Sequence, residues 1–292
     1  MKKILLTAIL PILIQPQLNA AENAQDTLRY MTYNIRREGK EAKPERLWEN
    51  RLPMITALLQ KLKPDIMGLQ EPTHKQIQDL QDALPHFAAF GESRGASWWG
   101  LGTDEANPIL YNKEIFSLLE YDTFATNKLD GLWNWLSPKK TGWLPRICTW
   151  GKFKVNKTGQ KFYLYNTHFD HMYPEAQKRC AHTIVNHIDT QNSDKLPVIV
   201  TGDFNTAFKD DIAAIFDNFA HVRTIAKKTE GPEETATGWD DTKPNTWIDH
   251  ILVTKDTAEV LTYQVLEHET DNYPSDHRPV FADLNFKIKK GQ

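Results

Sequence analysis

Apolar residues recur along the chain at two spacings, and each spacing predicts one kind of element. Between residues 45 and 62 they recur every three or four positions, which predicts a helix with one apolar face. Short apolar runs between polar stretches predict buried strands. These strands cover residues 28–34, 66–70, 108–111, 116–124, 147–155, 161–166, 198–201, 248–253, 261–266 and 279–284. Because helical and strand-like patterns alternate, we predict a mixed α/β fold.

Local signals place the remaining elements. Thr73 followed by Gln76 has the spacing of a capping box and predicts the start of a second helix. Apolar positions between residues 175 and 188 predict a third helix, and the turn at 156–159 predicts a hairpin. Polar segments rich in turn-forming residues predict long loops. These loops span residues 91–107, 126–144 and 226–245.

The N-terminal segment has the layout of a secretory signal peptide. Lys2 and Lys3 precede an apolar run over residues 4–14, and Ala20 and Ala21 suit a cleavage site. We therefore predict a signal peptide over residues 1–20, a domain over residues 25–288, and a secreted or periplasmic protein. The alternative is a buried N-terminal strand or helix. No later segment is apolar for long enough to cross a membrane, so we expect no stable membrane insertion.

Charge and cysteine content narrow the function classes. The chain carries 35 Lys and Arg against 38 Asp and Glu, and two of the lysines lie in the predicted signal peptide. This acidic balance argues against tight, sequence-blind binding of long nucleic acid. Cys148 and Cys180 could form a disulfide or stay as two buried thiols, and their spacing does not decide between these. We expect a monomer.

Acidic, amide and histidine side chains collect beside the ends of the predicted strands. The set contains Asn34, Glu71, His168, Asp170, Asp203, Asn205, Asp249, Asp276 and His277. Because α/β proteins place ligands in crevices beyond strand ends, we expect these side chains to meet in one site. Carboxylate and amide oxygens suit Mg²⁺, Mn²⁺ or Ca²⁺ better than zinc. A histidine beside an acid suits general base catalysis or stabilisation of charge on a phosphate.

Six sequence blocks, in this order, resemble the endonuclease/exonuclease/phosphatase superfamily with its DNase I-like fold. The blocks are MTYNI (31–35), GLQE (68–71), NTHFDH (166–171), TGDFN (201–205), WIDHILV (247–253) and SDHRPV (275–280). The resemblance implies a four-layer α/β sandwich, in which two packed mixed β-sheets are flanked by helices. Two further blocks, PILYN (108–112) and RICTWG (146–151), resemble a secreted bacterial branch of the family.

The resemblance also implies a metal site and a set of substrate contacts. Glu71 would be the main ligand of a Mg²⁺ or Mn²⁺ ion, assisted by Asn34 and Asp276. One metal or two remains open. The residues that would bind substrate are Arg36, Asp170 and Arg146. Arg36 could equally be a surface arginine, and Asp170 could equally be structural.

For the chemistry, the resemblance implies a water nucleophile and no covalent intermediate. His277 would lie against the scissile phosphate, with Asp249 as its partner. Asp203 would orient or deprotonate the attacking water, while Asn205 and His168 would each hold a phosphate oxygen. In the alternative assignment, His277 is the general base and Asp203 orients the water.

These inferences predict a secreted, metal-dependent phosphoesterase that acts by in-line attack of an activated water on phosphodiester bonds, with phosphomonoesters as the alternative. Nucleic acid or nucleotides lead as substrates, and a lipid headgroup or a sugar or inositol phosphate is the alternative. A rival from another class is a non-catalytic secreted binding protein or effector on the same fold. The two classes differ in whether a chelator-sensitive hydrolysis exists. The physiological substrate and the choice between endo and exo action stay open.

Overall fold

The computed structural model describes residues 27–95, 104–127, 142, 144–240, 246–267 and 273–287. The predicted signal peptide lies outside the described residues, as do parts of all three predicted loops. Within the described residues, no helix is both long enough and apolar enough to cross a membrane.

The strands of the described residues form two mixed sheets. They are β1 Leu28–Asn34, β2 Ile66–Gln70, β3 Phe87–Phe90, β4 Ile109–Asn112, β5 Phe116–Ala125, β6 Ile147–Val155, β7 Lys161–His168, β8 Val198–Asp203, β9 Phe219–His221, β10 Lys228–Glu230, β11 Asp249–Thr254, β12 Ala258–Val265 and β13 Val280–Phe286. One sheet has seven strands in the order β10-β12-β13-β1-β2-β4-β3, and the other has six in the order β5-β6-β7-β8-β11-β9. Each sheet has a parallel pair at its centre, β1 with β2 and β7 with β8.

Helices cover the outer face of each sheet. They are α1 Trp48–Leu62, α2 His74–Ala83, α3 Pro174–Gln191, α4 Asp210–Ile215 and α5 Val222–Ile225, and a 3₁₀ turn at Pro44–Arg46 precedes α1. The first two pack on the seven-stranded sheet, and α3 and α4 pack on the six-stranded sheet. A third apolar cluster fills the space between the sheets. This arrangement confirms the predicted four-layer sandwich.

The boundaries of most predicted elements agree with the structure, but one predicted loop contains a strand. The capping box at Thr73 and Gln76 is present in both directions. The predicted loop over residues 226–245 was wrong in part, because Lys228–Glu230 forms β10 and pairs in parallel with β12. This strand is polar and three residues long, and its pairing partner lies more than thirty residues later, so no local pattern marks it.

A polar contact joins the two sheets at their centre, and we call Gly68, Gln70, Asn166 and Thr201 the inter-sheet bridge. The Asn166 side chain donates to the Leu69 carbonyl at 2.8 Å and accepts from Gln70 Nε2 at 2.7 Å. A Cβ on Gly68 would lie 2.4 Å from both Asn166 Oδ1 and Thr201 Oγ1, so a side chain has no room there. The bridge therefore requires a glycine on β2.

The two cysteines are buried thiols. Cys148 lies on β6 and Cys180 on α3, and both are free and without solvent exposure. Cys180 Sγ accepts a hydrogen bond from Thr126 Oγ1 at 3.3 Å. Of the two possibilities open from the sequence, the structure has the unpaired one.

Candidate active site

The central strands of both sheets end at the same edge of the sandwich. In the seven-stranded sheet, Asn34 is in register with Gln70, so Glu71 begins the loop beside the end of β1. In the six-stranded sheet, His168 and Asp249 both pair with Asp203. Two halves of one site therefore face each other, one carried by each sheet.

The half on the seven-stranded sheet is acidic. Asn34 Nδ2 donates to Glu71 Oε1 at 3.1 Å, and Ser275 Oγ holds the Asn34 carbonyl at 2.7 Å. Arg36 Nη1 lies 3.8 Å from both Glu71 Oε2 and Asp276 Oδ2, so the two carboxylates face the same point. Two carboxylates and an amide supply the hard oxygen donors that Mg²⁺ or Mn²⁺ prefers, so these residues fit such an ion.

The half on the six-stranded sheet is centred on a buried carboxylate, Asp203. His277 reaches this carboxylate from the loop before β13 of the other sheet. Its Nδ1 lies 2.8 Å from Asp249 Oδ2, and its Nε2 lies 3.8 Å from Asp203 Oδ2. Ligand atoms of these three residues lie within 4.8 Å of one another, so they too could hold a cation. Because the Asp249 carboxylate already holds one ring nitrogen, we interpret the three as groups that handle protons.

Burial and neighbouring charge act on these groups in opposite directions. Burial would lower the pKa of His277, but the carboxylates of Asp249 and Asp203 raise it well above its usual value. Burial, together with Asp249, raises the pKa of Asp203 to about 7, while His277 opposes that rise. The imidazolium form of His277 is therefore favoured beside the carboxylates.

Two further polar side chains surround the Asp203 carboxylate. His168 Nε2 lies 3.5 Å from Asp203 Oδ2, and the Asn205 amide N–H donates to Asp203 Oδ1 at 2.9 Å. Burial and the nearby guanidinium of Arg146 lower the pKa of His168 well below its usual value, so its ring is neutral. Asn34 Nδ2 donates to the same carboxylate at 3.0 Å and links it to the acidic half.

Three residues of the cleft have left-handed backbone conformations. The φ angles are 57° at Arg36, 72° at Glu71 and 51° at Asn205. A non-glycine residue in this region costs about 1–2 kcal/mol. Such strain is typical of functional sites, where the surrounding structure holds the backbone in place.

The described residues around this edge enclose a cleft of about 300 Å³. Its lining is Arg36, Arg37, Glu71, Arg94, Glu105, Leu144, Arg146, His168, His171, Asp203, Asn205, Asp276 and His277. Sequence reasoning missed Arg37, Arg94 and Glu105, which form one ion-paired group. Glu105 lies 2.5 Å from Arg94 and 3.0 Å from Arg37. Arg94 and Glu105 fall in a predicted loop without a motif, so no local signal identifies them.

Of the candidate substrate-binding residues, Arg36 and Arg146 line the cleft, and Asp170 lies behind it. The Asp170 carboxylate is buried and accepts from the amides of Met172 and Tyr173, both at 2.9 Å. It also lies 4.0 Å from Arg146 Nε. This placement suits a residue that positions Arg146, and a direct substrate contact for Asp170 stays a prediction.

The chain is similar to several known proteins. The model of the Endonuclease/Exonuclease/phosphatase family matches residues 31–277. An endonuclease/exonuclease/phosphatase from Bacteroides vulgatus has 28% identity and a TM-score of 0.78, covering 90% of this chain and 100% of that one. A mannosyl-6-phosphatase from Bacteroides thetaiotaomicron has 27% identity and a TM-score of 0.75, covering 89% and 100%. The human Nocturnin catalytic domain, with 18% identity, a TM-score of 0.70 and coverage of 89% and 94%, shares the fold. No curated protein matches the sequence.

Proposed function

Since the chain belongs to the endonuclease/exonuclease/phosphatase family, we propose that it is a divalent-metal-dependent phosphoesterase that uses water as the nucleophile. One observation carries the proposal. An acidic, oxygen-rich group at the edge of the seven-stranded sheet lies in the same cleft as His277 and Asp203, and Asp249 holds His277 from behind. A cation site beside a proton-handling group is what hydrolysis of a phosphate ester requires.

Glu71, Asp276 and Asn34 would hold the cation, which we propose to be Mg²⁺ or Mn²⁺. When bound, it would neutralise negative charge that builds on the phosphate and the leaving oxygen. Arg36 lies between the two carboxylates, so it is also placed to contact a phosphate oxygen.

The remaining residues would orient the phosphate and move protons. His168 is neutral and can donate a ring N–H to a phosphate oxygen, and the Asn205 side chain lies on the same side of the cleft. His277, held through Nδ1 by Asp249, can donate from Nε2 to a phosphate oxygen. Asp203 would accept the proton of the attacking water, because its carboxylate lies close to His168, His277 and Asn205. This arrangement favours Asp203 over His277 as the general base.

The substrate and the compartment are further proposals. The similar protein from Bacteroides thetaiotaomicron is a mannosyl-6-phosphatase, which supports hydrolysis of a small phosphorylated molecule by this chain as well. Nucleic acid or nucleotides, favoured from the sequence, remain a second candidate for the same chemistry. We also propose that the chain is exported, as the pattern of residues 1–20 predicts.

The test is hydrolysis of p-nitrophenyl phosphate and bis-p-nitrophenyl phosphate by the purified chain with Mn²⁺, with and without a chelator. We expect the chelator to abolish turnover and Mn²⁺ to restore it. Glu71→Gln should lower kcat/KM for both substrates at least about 100-fold, because it removes a charged ligand. It should also weaken Mn²⁺ binding measured by calorimetry.

A matched control is Lys161→Leu, which changes an exposed cation at the start of β7, at the other end of the strand from His168. We expect its turnover to match that of the wild type. Turnover that survives both the chelator and Glu71→Gln would refute metal-dependent hydrolysis. Absence of any turnover on either substrate, with Mn²⁺ present, would favour the non-catalytic binding protein.

A further inference from the structure

Two buried arginines lie beyond His168, at the end of the cleft away from Asp276. The side chains of Arg94 and Arg146 are only 7% and 3% exposed, and both line the cleft together with His168. Their positive charges are among the causes that keep His168 neutral. The positive charge of the two guanidinium groups therefore reaches the position where His168 would contact a phosphate.

Among the described residues, the nearby carboxylates compensate the charge of Arg146 only in part. Glu105 is shared between Arg94 and Arg37, and Asp170 lies 4.0 Å from Arg146 with one oxygen already bound to two backbone amides. Arg146 Nη2 contacts His171 Nδ1 at 3.1 Å, and Arg146 Nε has no hydrogen-bond partner among the described residues. Buried like charges are costly unless an anion compensates them.

The described residues narrow the cleft behind the two arginines. Asn107, Pro145 and Ile147, all buried, line this part, and the void between them and His168 measures about 10 Å³. That volume suits one water molecule and no larger group. An organic group on the phosphate would therefore find little room on this side.

We propose that Arg94 and Arg146 form a subsite for the doubly charged phosphate of a monoester, so that the enzyme prefers phosphomonoesters to phosphodiesters. The inference rests on the proposed function and names its substrate class. Water attacks phosphorus, the bond from phosphorus to the alcohol oxygen breaks, and the proton lost by water ends on the alcohol. The products are the alcohol and inorganic phosphate.

The charge of the substrate explains the selectivity. A monoester at slightly alkaline pH carries two negative charges on three terminal oxygens, and a diester carries one charge on two. The third terminal oxygen is the one that a pair of guanidinium groups can hold through charge-assisted, forked hydrogen bonds. In a diester, an organic group would occupy that position and would meet the narrow space lined by Asn107, Pro145 and Ile147.

The experiment compares kcat/KM for p-nitrophenyl phosphate and bis-p-nitrophenyl phosphate at pH 8 with Mn²⁺. We expect the wild type to prefer the monoester. Arg146→Leu should lower the monoester value about 100-fold and the diester value by less than about fivefold, because only the monoester loses a charge-assisted contact. Arg94→Leu should shift the ratio in the same direction, and Arg146→Lys should fall between the wild type and Arg146→Leu.

A binding measurement separates this role from a structural one. Inorganic phosphate should raise the Tm of the Mn²⁺-loaded wild type, dimethyl phosphate should not, and Arg146→Leu should abolish the difference. A wild type that responds equally to both anions would overturn the subsite, whether or not the variants fold. So would arginine variants that lose both activities in equal proportion. Glu71→Gln keeps the tests apart, because full activity of that variant would count against the proposed function instead.

Discussion

Asp249 and His250 are neighbours on β11, yet their side chains lead to two buried histidine clusters, one with a charged histidine and one neutral. On the cleft side, His277 contacts the Asp249 carboxylate and its pKa is raised well above the usual value despite burial. On the other side, burial lowers the pKa of His250 to about 4, and burial and His250 lower that of His221 well below its usual value.

Hydrogen bonds show why the second cluster is neutral. The Arg223 amide N–H donates to His221 Nδ1, so the hydrogen of His221 lies on Nε2 and points at His250 Nδ1, 3.1 Å away. The other nitrogen of His250 donates to the Thr206 carbonyl at 2.9 Å. A further proton on either ring would place two N–H groups face to face. Both clusters are buried, so the hydrogen-bond partner of each histidine decides whether that histidine is charged.

Removing the charged histidine tests the comparison most severely. We expect His277→Ala to lower kcat on either p-nitrophenyl substrate by about 1000-fold or more, because it removes the donor to the phosphate. Circular dichroism should show a folded protein. Near-normal turnover would contradict the role assigned to His277.

Removing the charge of Asp249, the partner of His277, should have the next largest effect. Asp249→Asn keeps the shape of the contact and removes its charge, so the pKa of His277 should fall, and kcat should fall about 100-fold. Nitrogen chemical shifts of His277, measured by NMR across pH, report its protonation. The control is Asp194→Asn, an exposed acid paired with Lys152, which should leave both readouts unchanged. An unaltered His277 titration would show that Asp249 does not set its charge.

The smallest effect concerns stability at low pH. The folded-state pKa of His250 is about 4, below the value of about 6.5 for an unfolded histidine. The contribution of His250 to the free energy of unfolding is therefore complete above pH 6.5. It is lost as the pH falls toward 4, and it amounts to roughly 3 kcal/mol in total. His250→Gln should flatten the pH dependence of the unfolding free energy in that window.

Urea denaturation of wild type and variant between pH 4 and pH 7 measures this difference. His221 remains in the variant and keeps part of the slope, because burial lowers its pKa as well. Parallel pH profiles for the two proteins would show that the neutral cluster does not govern acid sensitivity.

Periodicity was sufficient to predict a mixed α/β fold and most of the strands, while the four layers followed from the resemblance to the family. The predicted strands at 28–34 and 66–70 match β1 and β2, and the capping box correctly places the start of α2. These elements are continuous in sequence, and each has an apolar face that neighbours can cover. The residues proposed for metal binding and catalysis were also recognisable, because each stands in a short motif at a strand end.

Contacts between distant segments were not predictable where no motif marks both partners. Arg94 and Arg146 come from a loop and from the residue before β6, and only the folded chain brings them beside His168. His221 and His250 meet across the pairing of β9 with β11, and β9 is three residues long. In both cases the chemistry arises from tertiary contacts, and no local spacing encodes it.

The inter-sheet bridge has a consequence for how the enzyme would fail. The ligands proposed for the cation, together with His277, are carried by the layer of β1, β2 and β13, and the other groups proposed to position water and phosphate are carried by the layer of β7, β8 and β11. A lateral slip of about 1 Å between the layers would misalign nucleophile and phosphate and cost about 100-fold in rate. Each layer would keep its own hydrogen bonds through such a slip. Inactivation under mild denaturing conditions would then precede any loss of the circular dichroism signal of strands or helices. The close fit at Gly68 opposes the slip and so delays this inactivation.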